Sequence, residues 1–237
     1  MDIIQTFETK KIVTKIIHLS DIHIRTGNSL YCRYLEYLDV IKKLIISLKK
    51  HDYDNTIVII TGDIFHHKNL IESYGIDLFN ELIINLTKLT TVYLIRGNHD
   101  YRQDYSPSVM DDINIELISS LISKYTNVHY LNETGLYEIG DILVGLVTIQ
   151  DTLKTGDTSG KVDKLPDFPW TEKKYKHTVA LYHGIVVSNE KTIYKDPIKI
   201  EWINNYDFGL LGDILGIMMD TMKSKIKTNL CGGIQVL

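Results

Sequence analysis

Thr56-Ile57-Val58-Ile59-Ile60-Thr61 runs directly into Gly62-Asp63-Ile64-Phe65-His66. An unbroken run of β-branched residues bounded by a glycine reads as a strand buried on both faces, as in a parallel sheet. The pattern occurs twice more. Ile16-Ile17-His18-Leu19-Ser20 leads into Asp21-Ile22-His23, and Thr91-Val92-Tyr93-Leu94-Ile95 into Arg96-Gly97-Asn98-His99-Asp100. The intervals are 40 residues from His23 to Asp63 and 35 from Asp63 to Asn98, each long enough for a crossover helix and the next strand. Three polar clusters are thereby placed at the carboxyl ends of parallel strands, where open α/β sheets build their sites.

The residue types suit divalent cations beside a phosphate. A carboxylate such as Asp63 has two oxygens and can bridge two ions, a neutral imidazole offers one nitrogen, and an amide offers one oxygen. Two cations roughly 3.5–4 Å apart can activate a water and stabilise both the attacking and the leaving oxygens of a phosphoryl displacement.

The ordered clusters D-x-H, G-D and G-N-H-D resemble the calcineurin-like metallophosphoesterases, whose pattern continues with a lone His and then G-H-x-H. The resemblance covers about Ile16 to Leu211. It implies an α/β fold, a four-layer α/β/β/α sandwich with a dimetal site at strand C-terminal ends. Thr178-Val179-Ala180-Leu181-Tyr182 is read as a further strand, and His183 after it corresponds to the lone His. Tyr206 to Gly212 leads to the last motif, where the pattern departs: Asp213 replaces the first His and Leu215 the second. Asp213 can bind a hard cation through oxygen, and Leu215 can bind none. By resemblance Asp21, His23 and Asp63 hold the first metal, now one ligand short, and Asp63, Asn98, His183 and Asp213 the second.

Ser/Thr protein phosphatases of this family carry G-D-x-x-D-R-G and G-N-H-E. Gly62-Asp63-Ile64-Phe65-His66 and Gly97-Asn98-His99-Asp100 are more similar to the SbcD-like double-strand-break repair nucleases, whose activity depends on manganese. The resemblance implies a phosphodiester hydrolase acting as a DNA exonuclease or endonuclease, with two Mn2+ ions and direct attack of an activated water on phosphorus. His99 is then the charge stabiliser or general acid, Asp100 its orienting carboxylate, and His66 a phosphate contact with His67 as the competing choice. Arg96 reads equally as a phosphate contact or as a solvated strand-end residue. His51, His129 and His177 lack motif context and read as surface histidines. Because of Leu215 a catalytically weakened subunit that scaffolds an ATPase of the structural-maintenance type stays open, and a small-molecule phosphodiesterase is the alternative branch. DNA, such an ATPase and a second copy of the chain are the implied partners.

Composition sets outer bounds. The 237 residues are 44% hydrophobic, enough for one substantial core, and a single domain over residues 1–237 is expected. The net charge of −4 gives no global attraction to nucleic acid and does not decide the substrate. Cys32 and Cys231 stand far apart without a C-x-x-C spacing, which points to a reducing intracellular compartment, cytoplasmic or nucleoid/nuclear. The N-terminus lacks a long apolar segment and no stretch approaches 18 apolar residues, so neither export nor a membrane span is expected.

Helical 3–4 spacing is expected over Tyr31–Lys50, Ser73–Lys88 and Asp112–Lys124. Further strands are expected at Val128–Leu131, Leu136–Ile139 and Ile142–Ile149, the last two joined by a Gly140-Asp141 turn. Asp151 to His177, rich in Thr, Gly, Lys, Asp and Pro, reads as a long excursion. Cys231 to Gln235 is reminiscent of the G-S-x-I strand of the nuclease branch, and the capping domain of that branch is expected to be absent.

Overall fold

The strand runs that open the sequence lie side by side in one parallel sheet. In a computed structural model, residues 3–9, 12–25, 30–50, 53–67, 72–100, 117–149, 175–187, 198–213, 226–228 and 234–236 are described. Strands β2 (Lys15–Leu19), β3 (Thr56–Thr61), β4 (Thr91–Ile95) and β5 (Val128–Tyr130) pair in parallel in that order, and β13 (Ile234–Val236) adds antiparallel to β2. A second sheet holds β1 (Ile3–Phe7), β6 (Gly135–Ile139), β7 (Ile142–Val147), β8 (His177–His183), β11 (Phe208–Gly212) and β12 (Ile226–Thr228). It is parallel except for the β6–β7 hairpin. Two short strands, β9 (Val186–Val187) and β10 (Ile198–Lys199), pair separately.

The period-2 alternation of β3 shows how the layers stack. Ile57 and Ile59 point to the core between the sheets with Tyr93, Tyr137, Val144, Leu181 and Leu210. Val58 and Ile60 point the other way, onto helices α1 (Leu30–Leu48) and α2 (Ser73–Thr87) and the short α3 (Leu117–Ile122). Helix α2 buries Leu78, Phe79, Leu82, Ile83 and Leu86, the 3–4 stripe its sequence prescribes. Each such side chain contributes about 1.5–3 kcal/mol relative to an exposed one, so packing dominates the placement of this helix. On the far face of the second sheet, Ala180, Tyr182 and Leu211 meet Trp202 and Ile203 of α4 (Ile200–Asn204) and the adjacent Tyr206. The layers are therefore α/β/β/α, as the resemblance implies.

Several boundaries differ from expectation. The strand expected to reach Ile149 ends at Val147, and β8 starts at His177. Strands β1, β9, β10 and β12 and helix α4 were not anticipated. His129 is not a surface histidine: its ring packs 4.6 Å from Phe7 and 5.2 Å from Tyr93, and burial lowers its pKa. His177 is half-buried against Phe208, with ring centroids 5.6 Å apart. His51, Leu215, residues 112–116 of the third expected helix and 151–174 of the excursion lie outside the described residues; of Cys231–Gln235, Ile234 and Gln235 fall in β13. Among the described residues no helix is long and apolar enough to cross a membrane.

A histidine and its threonine partner sit inside the inter-sheet layer. His18 is fully buried, and its Nε2 lies 2.7 Å from Thr61 Oγ1. Burial pulls its pKa from the ordinary imidazole value of 6.5 down to about 4. The unfolded chain therefore binds more protons than the folded one between pH 6.5 and about 4, and stability is lost as pH falls through that window. In urea titrations across it, His18→Asn should flatten the pH dependence of unfolding, with the native chain losing up to about 3 kcal/mol more. Parallel profiles for the two chains would show that His18 does not carry this dependence.

Candidate metal centre

The two stacked sheets bring the carboxyl ends of β2, β3, β4, β8 and β11 together at one end, and the loops there are tied main chain to main chain. Asp21 N donates to Gly62 O (3.2 Å), His23 N to Asp63 O (2.9 Å), His66 N to Ile24 O (3.1 Å) and Gly184 N to Gly212 O (3.1 Å). Among the described residues the non-glycine positions with positive φ are Asp21 (53°), His23 (46°), Asp63 (52°) and Asp213 (56°). Left-handed backbone is costly for such residues, on the order of 1–3 kcal/mol each, and persists only where its surroundings enforce it. That all four carry site side chains marks the place where the fold stores its strain.

Two glycines let the loops close on one another. Gly62 has φ of +85°, and a Cβ there would fall 2.5 Å from Gly97 N. A Cβ on Gly97 would strike the amide nitrogen and carboxylate of Asp63.

Asp63 occupies the centre and is 1% exposed. Its Oδ2 faces His23 Nε2 at 3.4 Å, its Oδ1 faces His183 Nε2 at 3.2 Å, and Oδ1 also accepts the His99 N–H at 2.8 Å. Asp21 is 3.9 Å from His23 Nε2, receives the Ser20 hydroxyl at 2.5 Å and accepts the Asp213 N–H at 3.1 Å. Asn98 Nδ2 donates to Asp213 Oδ2 at 3.1 Å. The six residues assigned as ligands by resemblance, Asp21, His23, Asp63, Asn98, His183 and Asp213, are thus brought together.

Electrostatics of the cluster follow from burial and crowding. Burial would raise the Asp63 pKa, but the nearby His183 and the His99 N–H more than offset it and hold it below the usual carboxylate value. Burial would likewise lower His183, yet its contact with Asp63, the Thr61 carbonyl and the charge of Asp21 lift it to about 9. Asp213 is raised, by burial first and by the charges of Asp63 and Asp21 against the pull of His183. His183 Nδ1 lies 2.6 Å from Thr61 O. A carbonyl can only accept, so Nδ1 bears the proton and Nε2 is aimed at Asp63.

Whether a divalent cation suits these residues can be judged from what they leave unsatisfied. Asn98 Oδ1 and His183 Nε2 are buried without a hydrogen-bond partner, and buried polar atoms rarely remain so. Three carboxylates share the space with them. Oxygen-rich donors with excess negative charge, an orphaned Asn98 oxygen and a His183 Nε2 whose proton a cation can displace fit a divalent cation.

Beside this set lies a second one. The rings of His23 and His99 are 5.0 Å apart, those of His23 and His66 5.5 Å, and those of His66 and His99 5.5 Å in a stacked arrangement. His99 Nδ1 lies 2.6 Å from His66 O. His67 is exposed, with its ring 4.9 Å from that of His66. Of the two candidates, His66 is the one within the cluster.

Asp100 behaves differently from expectation. Its carboxylate accepts main-chain N–H groups of Ile64 (3.0 Å), Phe65 (3.1 Å) and Gly97 (3.0 Å); the His99 ring is tied to the His66 carbonyl instead. Asp100 therefore ties the two loops together and does not orient the His99 imidazole. Burial and the charge of Asp63 push its pKa up to about 6, against the pull of those N–H groups. Arg96 is also structural, being 7% exposed with its Nε donating to Tyr130 Oη at 2.9 Å.

Three supports escaped the sequence reading: the Ser20 hydroxyl, the Thr61 carbonyl, and Tyr37 of α1, which donates to His23 O at 2.5 Å and accepts from Arg25 N at 3.2 Å. Tyr37 had a legible signal, as a residue with a polar tip in the aliphatic stripe of α1.

Residues 14–216 match the family described as calcineurin-like phosphoesterase. An uncharacterized protein, R555 of Acanthamoeba polyphaga mimivirus, is 30% identical over 219 residues, which is 87% of this chain and 15% of that protein. The chain thus spans about a seventh of that relative's length. Among solved structures, the cold-active protein-tyrosine phosphatase of a psychrophilic Shewanella is 13% identical, with a TM-score of 0.30 over 83% of this chain and 72% of that one. A further structure of a cold-active protein tyrosine phosphatase is 14% identical, with a TM-score of 0.31 over 83% and 71%. Those two scores carry no weight for fold or activity. The family match spans most of the chain and includes every residue of the centre described above, and the chain belongs to the calcineurin-like phosphoesterase family.

Proposed function

We propose that the chain is a manganese-dependent phosphodiester hydrolase acting on DNA, an exonuclease or endonuclease of the SbcD-like kind. The observation that carries this reading is the joint presence of an oxygen-rich donor cluster around Asp63 and two stacked imidazoles, His66 and His99, at its edge. Asp21, His23 and Asp63 would hold one cation, and Asp63, Asn98, His183 and Asp213 the other. Such a pair, when bound, lowers the pKa of water and neutralises charge on the phosphate.

The remaining work falls to the chain. Thr61 fixes the tautomer of His183, and the His99 main chain fixes Asp63. With Nδ1 donated to His66 O, His99 presents Nε2, which as an imidazolium can donate to the leaving oxygen. His66 supplies a further imidazole toward the phosphate.

Charge favours a diester. A phosphomonoester carries close to two negative charges near neutrality and a diester one. Arg96, the guanidinium next to the third motif, is turned into the interior, so among the described residues that motif offers the phosphate an imidazole, His99. Arg25 is exposed, and its charge helps lower the pKa of His66, which burial depresses first. That position would let it meet a neighbouring phosphate of a strand.

Three tests follow from these roles. With Mn2+ and either an aryl phosphodiester or single-stranded DNA, His99→Ala should lower kcat roughly 10²–10⁴-fold while Mn2+ binding is kept; unchanged turnover would remove His99 from the mechanism. Arg25→Gln should raise KM for single-stranded DNA roughly two- to fivefold, the scale of one exposed ion pair, and leave KM for the aryl diester alone. Equal effects on both substrates would point to a small-molecule phosphodiesterase instead. Asp100→Asn turns an amide NH2 toward main-chain donors and should cost about 1–3 kcal/mol of stability by denaturant titration. A variant of native stability would show that the loop tie is dispensable. Silence of the native chain in all Mn2+ assays would favour the weakened scaffolding subunit that Leu215 suggests.

A further inference from the structure

We propose that His23, His66 and His99 form a cation site of their own, an all-imidazole site for a borderline transition-metal ion such as Zn2+ or Cu2+, distinct in donor chemistry from the oxygen-rich set around Asp63. Each of the three offers a ring nitrogen within 4.8 Å of the other two, and all three residues are half-buried. Zn2+ binds imidazole nitrogen at about 2.0–2.1 Å, so three such ligands stand roughly 3.4 Å apart. Modest rotation of half-exposed rings closes that gap.

The lone pairs are available. His99 Nδ1 donates to the His66 carbonyl at 2.6 Å, which leaves the Nε2 lone pair free. The Nδ1 atoms of His23 and His66 are buried with no hydrogen-bond partner. The backbone beneath is fixed as well, since His23 N donates to Asp63 O and His66 N to Ile24 O. The three histidines sit after β2, β3 and β4, adjacent strands of one parallel sheet, so their spacing is set by the sheet.

Donor chemistry separates this site from its neighbour. Carboxylate and amide oxygens suit Mn2+ or Mg2+, whereas imidazole suits Zn2+, Cu2+ and Ni2+, and at equal exposure those ions bind nitrogen donors more tightly than Mn2+ does. Three protein nitrogens leave a fourth position open on Zn2+. His66 and His99 are also the side chains assigned to the phosphate above. On that reading, an ion held between them switches hydrolysis off, while the site itself does not depend on it.

The test separates the two ideas by using a chain whose oxygen-rich set is disabled. Asp63→Asn protein, checked for folding by circular dichroism and stripped with chelator, should retain one Zn2+ per chain and no Mn2+ after dialysis. Its Cu2+ complex should show three nitrogen couplings by electron paramagnetic resonance. Adding His66→Gln should weaken Zn2+ binding at least about tenfold, no less than losing an outer partner of a ligand does, and reduce the couplings to two. No Zn2+ retained by Asp63→Asn, or affinity and nitrogen count indifferent to His66→Gln, would overturn the site. If Asp63→Asn does not fold, the Cu2+ spectra of the native chain and His66→Gln decide, with one coupling lost or none. Manganese-dependent hydrolysis by the zinc-free native chain reads the function separately, so either idea can fail while the other stands.

Discussion

A carboxylate buried at the seam of two sheets sets the terms for the rest of this molecule. Asp63 is 1% exposed, and an uncompensated charge at such a depth costs several kcal/mol. Compensation comes from His183 across the seam, from the main chain of the loop after β4, and from His23 on the loop after β2. Each donor arrives on a different strand. The carboxyl ends of strands from both stacked sheets must therefore lie together at one end of the sandwich, and the loops must close to within main-chain contact. Gly62 and Gly97 permit that closure because neither position has room for a Cβ.

Strain and support are divided between different parts of the fold. Left-handed backbone at Asp21, His23, Asp63 and Asp213 could not persist on isolated loops at on the order of 1–3 kcal/mol per residue. The three apolar layers hold the strand ends still, and Asp100 joins two loops through main-chain N–H groups of Ile64, Phe65 and Gly97. The oxygens of Asp100 are spent on the backbone, which leaves His99 to be oriented by the His66 carbonyl. The second and third motifs are consequently one mechanical unit, and a change in either loop is felt in the other.

Much of this was legible in the chain itself, for a physical reason. Strands β2, β3 and β4 are buried on both faces, which requires continuous apolar runs, and the residues that follow them carry the chemistry. Helix α2 was legible because its stripe matches the helical period. What escaped depends on partners distant in sequence. β1 is a short edge strand whose pairing with β6 has no local signature. His129 is half-buried only because Phe7 and Tyr93 come to it. Arg96 turns inward to Tyr130, and spacing alone could not tell that from a phosphate contact. The partners of Asp100 are main-chain amides, which leave no trace in residue identity.

The departure at Leu215 gives His23 unusual weight. With apolar carbon where the family pattern has an imidazole, the side chains assigned by resemblance to the first cation are two carboxylates, Asp21 and Asp63, and one nitrogen donor, His23. That same histidine stands edge-on to His99 and near His66. Its ring has two nitrogens: Nε2 points at Asp63 and Asp21, and Nδ1 is buried without a hydrogen-bond partner. An oxygen-rich set that has lost a nitrogen becomes more selective for hard ions, while an all-imidazole neighbour favours borderline ones. On the proposed assignments His23 is the side chain that the two sets share, and its left-handed backbone, with Tyr37 donating to its carbonyl, fixes where that ring stands.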